Sequence, residues 1–213
     1  MKLDFVCIGA QKAGTTTLHD ILKTHPKIYL PPKKEAQFFD INERYEKGLD
    51  FYFTSFFDTY EGEPLIGNVN PNLQIDNRSI DRLIDCFGTD IKVIFMLRDP
   101  VDRAYSHYLM SKRRGIEKLP FLEAIKKESF RIANPNKHPN YFSKELGHFE
   151  KNHLGYLFRS HYLKTIKYLF AKLPSERIKF YLFEDFVENR KKAIQEVLLF
   201  LDIPLVPELQ YET

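Results

Sequence analysis

"FVCIGAQKAGTTTLHDIL", residues 5–22, is the stretch that decides the fold. Its apolar start, Phe5 to Ile8, reads as a buried strand, and a loop bounded by Gly9 and Gly14 follows. Beyond the loop, Leu18, Ile21, Leu22 and His25 recur on one helical face. A strand, a glycine-bounded loop and a helix in that order point to an anion. Glycines let the backbone turn tightly and aim N–H groups inward, and the start of the helix adds its positive end. Lys12 contributes a mobile cation, and Thr15, Thr16 and Thr17 contribute hydroxyl donors, which a merely structural turn would not need.

Working outward, "IKVIFML" (91–97) and "IKFYLF" (178–183) are further apolar runs of buried-strand type, and "PLIGNV" (64–69) is a shorter one. Helical faces lie between and after them, marked by Leu163, Ile166, Phe170 and Leu173, and by Ile194, Val197, Leu198 and Leu201. The alternation predicts a three-layer α/β/α fold with a central parallel sheet, of the P-loop NTPase type, in one domain over residues 1–213. Residues 115–158, with the turn-rich "ANPNKHPN" (133–140), fit as a helical and loop insertion over the carboxyl edge of the sheet, where open α/β folds bind ligands.

Composition excludes several classes. With 43% apolar and 15% aromatic residues, the 213-residue chain is neither disordered nor fibrous. A net charge of +3 is too mild to indicate nucleic acid. The densest basic spot, "SKRRG" (111–115), reads first as a solvated helix end. Cys7 and Cys86 read as buried thiols of a reducing compartment, and histidine spacing suggests no metal site. No run reaches the roughly 18 apolar residues of a membrane span, so the reading is a cytoplasmic chain.

A second anion site is legible in "LRDPVDRAYSHYLM" (97–110). Arg98 stands at the end of a strand, Asp99 can cap a helix and Pro100 suits its first turn. Val101, Ala104, Tyr105, Tyr108 and Leu109 form the apolar stripe expected to face inward, leaving Ser106 near the ligand side with Arg98. A forked guanidinium and a hydroxyl suit an oxyanion. Gly9 and Gly14 have the spacing of a Walker A loop, but the lysine lies inside the pair rather than after it. A Walker loop also needs an acidic residue on a later strand for Mg²⁺, and here that strand ends in Arg98. A nucleoside or sugar kinase is therefore the second reading, and a non-catalytic nucleotide-binding module the third.

Taken together, these motifs resemble the sulfotransferases that use 3′-phosphoadenosine 5′-phosphosulfate (PAPS). "GAQKAGTTTLHDILKTHP" is similar to their 5′-phosphosulfate loop and "LRDPVDRAYSHY" to their 3′-phosphate motif. "KKEAQFFD" (33–40), "RSHYLKTIKYLF" (159–170), "RIKFYLFEDF" (177–186) and "FLDIP" resemble landmarks of the heparan-sulfate and bacterial carbohydrate branch. The resemblance implies that the loop Gln11, Lys12, Ala13, Gly14, Thr15, Thr16 and Thr17 holds the 5′ end of the donor. Lys12 would lie on the transferring group, with Arg98 and Ser106 on the 3′-phosphate. It further implies Glu35 as general base and places Lys33, Lys34 and Tyr162 toward the acceptor. PAPS would be the donor and 3′-phosphoadenosine 5′-phosphate (PAP) the product, with no metal, a carbohydrate acceptor, no nucleic acid and no membrane span. Read without the resemblance, Glu35 after two lysines is a surface ion pair.

Two departures accompany it. Asn68 and Val69 stand where the branch carries Glu and Lys, so a cation near the transferring group is expected to be missing, with Lys33 or Lys34 as substitutes. The chain also stops at Thr213, short of the basic lid expected over the donor. Lys112, Arg113 and Arg114 join Lys33 and Lys34 as candidates for an anionic glycan. His107, inside its helix, reads as structural or partner-facing.

Overall fold

The computed structural model describes residues 1–205. In chain order the elements are β1 (Phe5–Cys7), α1 (Thr15–Leu22), β2 (Ile28–Tyr29), α2 (Asn42–Tyr45) and α3 (Gly48–Phe56), followed by β3 (Leu65–Val69) and α4 (Asn77–Phe87). Then come β4 (Lys92–Leu97), α5 (Pro100–Arg113), α6 (Phe121–Ala133), α7 (His148–His153) and α8 (Tyr162–Lys172). The last are β5 (Ile178–Leu182), α9 (Phe183–Glu188) and α10 (Arg190–Phe200). The strands form one sheet in the order β2-β3-β1-β4-β5, and each neighbouring pair is parallel.

This order positions the site. From β1 the chain moves to one side for β2 and β3, then crosses to the other for β4 and β5. β1 is thus the strand at which the winding reverses, and in open α/β sheets the crevice beyond such a switch point takes the ligand. Cys7 lies opposite both Val69 and Ile94, so the chain emerging from β1 is flanked by the end of β3 and the second half of β4.

The three strands expected from apolar runs, and the shorter one at 64–69, are all present. β2 was not anticipated, because two residues at a sheet edge leave no period to read. β1 is buried throughout, as helices on both faces require. Beneath the sheet edge, Phe38, Phe39, Tyr52, Phe53 and Phe87 pack as an aromatic cluster with ring centroids 4.8–6.4 Å apart.

Three expectations need correction. On α5 the expected inward stripe faces water at Val101 (69% exposed), Tyr105 and Leu109, while Arg103, Ala104, His107, Tyr108, Met110 and Ser111 are buried. The helix packs on a polar layer supplied by the 115–160 region, so its inner face is not its most apolar one. On α8, Leu163 and Phe170 are exposed, and Thr165 and Leu169 are buried instead. The Tyr162 hydroxyl donates to the Arg98 carbonyl at 3.0 Å, and that anchor sets the rotation of the helix. Thr165 and Leu169, three and seven residues on, then share the inward side. Cys86 is half-buried, whereas Cys7 is buried and its thiol pushed up to about 11, chiefly by burial.

Gly67 on β3 sits directly opposite Phe5 of β1, and a Cβ there would collide with the Phe5 ring. Gly67→Ala should therefore lower stability by about 1–3 kcal/mol, the usual cost of overpacking a core. An unchanged urea midpoint would show that the β1–β3 contact has room for a methyl group.

Candidate active site

The loop after β1, the end of β3, the end of β4 and the end of α7 enclose a cavity of about 720 Å³. Its floor is the glycine-bounded loop. Gly14, at φ 82°, precedes α1, whose first residue is Thr15. That backbone conformation favours glycine, and a Cβ on Gly14 would come within 3.1 Å of Phe183. Gln11, Lys12, Thr15 and Thr16 line the cavity. Ala13 is instead packed in the core, and Thr17 does not line the cavity.

The strand end supplies the second wall. Asp99 caps α5, accepting from the backbone N–H of Val101 and of Asp102 at 2.9 Å, with Pro100 in the first turn. This turns Arg98 back over the loop, where it donates to the Lys12 carbonyl at 3.1 Å. Its guanidinium lies 4.5 Å from the centre of the Phe183 ring, and its Nε is buried without a partner among the described residues. Ser106, one turn and a half along α5, lines the same cavity.

Glu35 enters from the opposite side. Its N–H donates to the Val69 carbonyl at 3.2 Å, and its carboxylate is held by Lys34 at 2.9 Å. Lys34 and Glu35 both line the cavity, whereas Lys33 is exposed and lies outside it. Tyr162 also stays out of the lining, bound beneath Arg98 with its ring edge-on to Phe95. The substitutions noted at the end of β3 leave no charge there. Asn68 is buried, donating to the Ala36 carbonyl and the Tyr52 hydroxyl, and Val69 is buried too.

Among the described residues, three non-glycine residues have positive φ: Lys12 (73°), Glu35 (67°) and Asp202 (58°). Two of the three are thus the pair that faces the cavity from the loop and from the β3 side. Left-handed backbone at residues with side chains is uncommon, and it gathers at functional sites.

The electrostatics are lopsided. The Lys12 ammonium is held below its ordinary value, first by burial and then by Arg113, Arg98, Arg114 and Lys34. Arg113 and Arg114, from the stretch that read as a solvated helix end, line the cavity wall. Such a cationic cluster favours an anion in its midst. Two further arginines lie beneath it. Arg103 and Arg159 are 0% and 1% exposed, and burial above all pulls them down to about 10 and about 9. Sequence reasoning gave Arg103 no role, met Arg159 only as the start of the Arg-x-x-Tyr pattern that ends at Tyr162, and missed Asn72, Asn152 and His153 in the lining. A buried arginine carries no periodic signal, and arginine is by default an exposed residue.

His107 is buried with both ring nitrogens unpartnered among the described residues and its edge on the Tyr156 ring, so its place is structural. Burial holds it well below the ordinary imidazole value. His19 and His25 are tied to the Pro31 and Pro204 carbonyls and are structural too.

A β-strand, anion loop and helix at the switch point of a parallel sheet, with cations on three sides, define a P-loop-like α/β protein. The chain belongs to the sulfotransferase family: the Sulfotransferase domain matches residues 2–212. The crystal structure of a sulfotransferase from Alicyclobacillus acidocaldarius superposes with a TM-score of 0.79 at 30% identity, covering 100% of this chain and 87% of that one. The membrane-associated sulfotransferase kil1 of Dictyostelium discoideum is 36% identical over 110 residues, 51% of this chain and 23% of its own length. Heparan sulfate glucosamine 3-O-sulfotransferase 5 of Mus musculus is 30% identical over 103 residues, 48% of this chain and 29% of its own. The chain thus spans less than a third of these curated relatives. Mouse sulfotransferase SULT7A1 complexed with PAP shares the fold, with a TM-score of 0.54 at 12% identity. Among the described residues no helix is long and apolar enough to cross a membrane.

The α7 wall makes the site acid-sensitive. Burial first, then Arg114 and Arg159, pull His153 down to about 4, and burial pulls His148 to about 4 as well. Both stay neutral while an unfolded chain gains protons, so this contribution is complete above about pH 6.5 and is lost as pH falls toward 4. The urea midpoint should drop between pH 7 and pH 5, and less steeply in His148→Gln. Identical slopes for the two proteins would count against a neutral, buried His148.

Proposed function

We propose that the chain transfers a sulfuryl group from PAPS to a hydroxyl or amine of a carbohydrate acceptor. The observation that carries this is the meeting, in one cavity, of an anion loop, a second cationic site at Arg98 and Ser106, and a single carboxylate, Glu35. The residues fit the donor. A bisphosphorylated nucleotide brings negative charge to both cationic sites and gives the buried Arg98 Nε an acceptor. Lys12 and the start of α1 would take the 5′ end, Arg98 and Ser106 the 3′-phosphate.

In the transfer, the acceptor oxygen or nitrogen bonds to sulfur as the bond from sulfur to the 5′-phosphate oxygen breaks. The electron pair of that bond goes to the phosphate oxygen, where Lys12 meets the growing charge. The acceptor proton goes to Glu35. Most of the gain comes from positioning and preorganised charge, as in phosphoryl transfer. A carbohydrate acceptor is supported by the names of the heparan sulfate relatives, and Arg113 and Arg114 at the rim suit an anionic glycan. The two free thiols, Cys7 and Cys86, favour a reducing, cytoplasmic setting.

PAP should raise the melting temperature without Mg²⁺, while ATP with Mg²⁺ should not. With labelled PAPS and a panel of sugars, Lys12→Ala and Glu35→Gln should each lower turnover about a hundredfold with the fold intact. Full activity in Glu35→Gln would remove it as the base. PAP binding without transfer to any sugar would favour a non-catalytic module.

A further inference from the structure

Arg159 is 1% exposed and, among the described residues, meets no carboxylate within bonding distance. Its Nη1 donates to Gln11 Oε1 at 3.1 Å, to Asn152 Oδ1 at 2.9 Å and to the Asn152 carbonyl at 3.3 Å. Its Nη2 donates to the Pro71 carbonyl at 2.7 Å and to Asn72 Oδ1 at 3.1 Å, and its Nε is unpartnered. All the acceptors are neutral. Three of them are side-chain amides that line the cavity: Gln11 from the anion loop, Asn72 from the loop after β3, and Asn152 from α7.

A guanidinium has only donors, so each amide must turn its oxygen toward Arg159 and its NH₂ away. Asn152 spends its NH₂ on the Tyr141 hydroxyl at 2.8 Å. Among the described residues, nothing accepts from Gln11 Nε2 or Asn72 Nδ2. Gln11 is held a second time, because buried Arg103 donates to its carbonyl at 3.3 Å. A neutral residue at 159 would allow either amide to flip and present its oxygen to an anion. A residue that can only donate forbids it, which gives a reason for burying an unpaired charge despite its desolvation cost.

We propose that Arg159 is a positioning residue that fixes Gln11 and Asn72 as a pair of NH₂ donors for the sulfonate oxygens of the donor. The proposal rests on the sulfuryl-transfer reading above. Charge on a transferring sulfuryl group is spread over three oxygens, and preoriented neutral donors serve it without the cost of reorganisation. Gln11 and Asn72 touch the reacting group, and Arg159 acts through them.

The test compares PAPS turnover with affinity for PAP, which lacks the sulfonate. Gln11→Ala and Asn72→Ala should each lower kcat about a hundredfold and leave PAP affinity unchanged. Arg159→Lys keeps the charge but cannot hold both amides, so it should show the same split. Adding Asn72→Ala to it should cost little more. Wild-type kcat in Gln11→Ala and Asn72→Ala overturns the donor assignment, as does a fall in PAP affinity that matches the fall in kcat. Losses that multiply in the double variant overturn the positioning role. Should Arg159→Lys fail to fold, the Gln11 and Asn72 variants decide alone. A wild-type chain that binds no PAP and transfers nothing overturns the underlying reading, and the proposal with it.

Discussion

A positive charge taken out of water with no carboxylate to meet it is costly, and among the described residues this fold does it twice under one loop. Arg103 and Arg159 both hold Gln11, one by its carbonyl and the other by its side chain. Much of the surrounding architecture serves to supply them with acceptors. Arg103 donates to Ser160 Oγ at 2.7 Å and to the Tyr156 carbonyl, and Arg159 reaches Asn152 and Pro71. The stretch that presents those acceptors is itself tied down. The buried Glu128 carboxylate accepts from the N–H groups of Leu157 and Phe158, and Glu117 accepts from Arg131 and the Tyr156 hydroxyl. Seen this way, the 115–160 region is the polar half of the core. It fills the layer that α5 would otherwise have had to cover with apolar side chains.

The opposite wall is made differently. Glu35 rides on a segment whose next residues, Phe38 and Phe39, are driven into the aromatic cluster by the hydrophobic effect. Arg44 and Arg82 bind the Gln37 and Phe39 carbonyls at 2.8 and 2.9 Å, which satisfies the backbone on the way in. The loop side is thus pinned by charge and hydrogen bonds, and the Glu35 side by packing. One cavity is bounded by a stiff polar wall and a stiff apolar anchor.

What was legible in the sequence was what is local. The strand, loop and helix at residues 5–22 are encoded by neighbours in the chain, as is the Asp99 cap that sets Arg98 over the loop. What escaped depends on partners far away in sequence. The rotation of α8 follows from one bond between Tyr162 and Arg98, 64 residues apart. The inward face of α5 is chosen by carbonyls from residue 156, and its apolar stripe gave no hint that those residues would face water. Arg159 is bound to Gln11 across 148 residues, and nothing in its neighbourhood marks it as buried. Arg113 and Arg114 could be read either as solvent charges or as glycan contacts, because the wall they join is built only when α5 crosses the sheet edge.

The left-handed backbone at Lys12 and Glu35 has an evolutionary corollary. Glycine would adopt either conformation without the steric cost that a side chain incurs, roughly 1–3 kcal/mol at a strained position. Drift toward sturdier folding would therefore erase both side chains. Their persistence would read as the signature of selection for chemistry, and a descendant that had lost the reaction would be expected to shed these two residues while keeping the sheet.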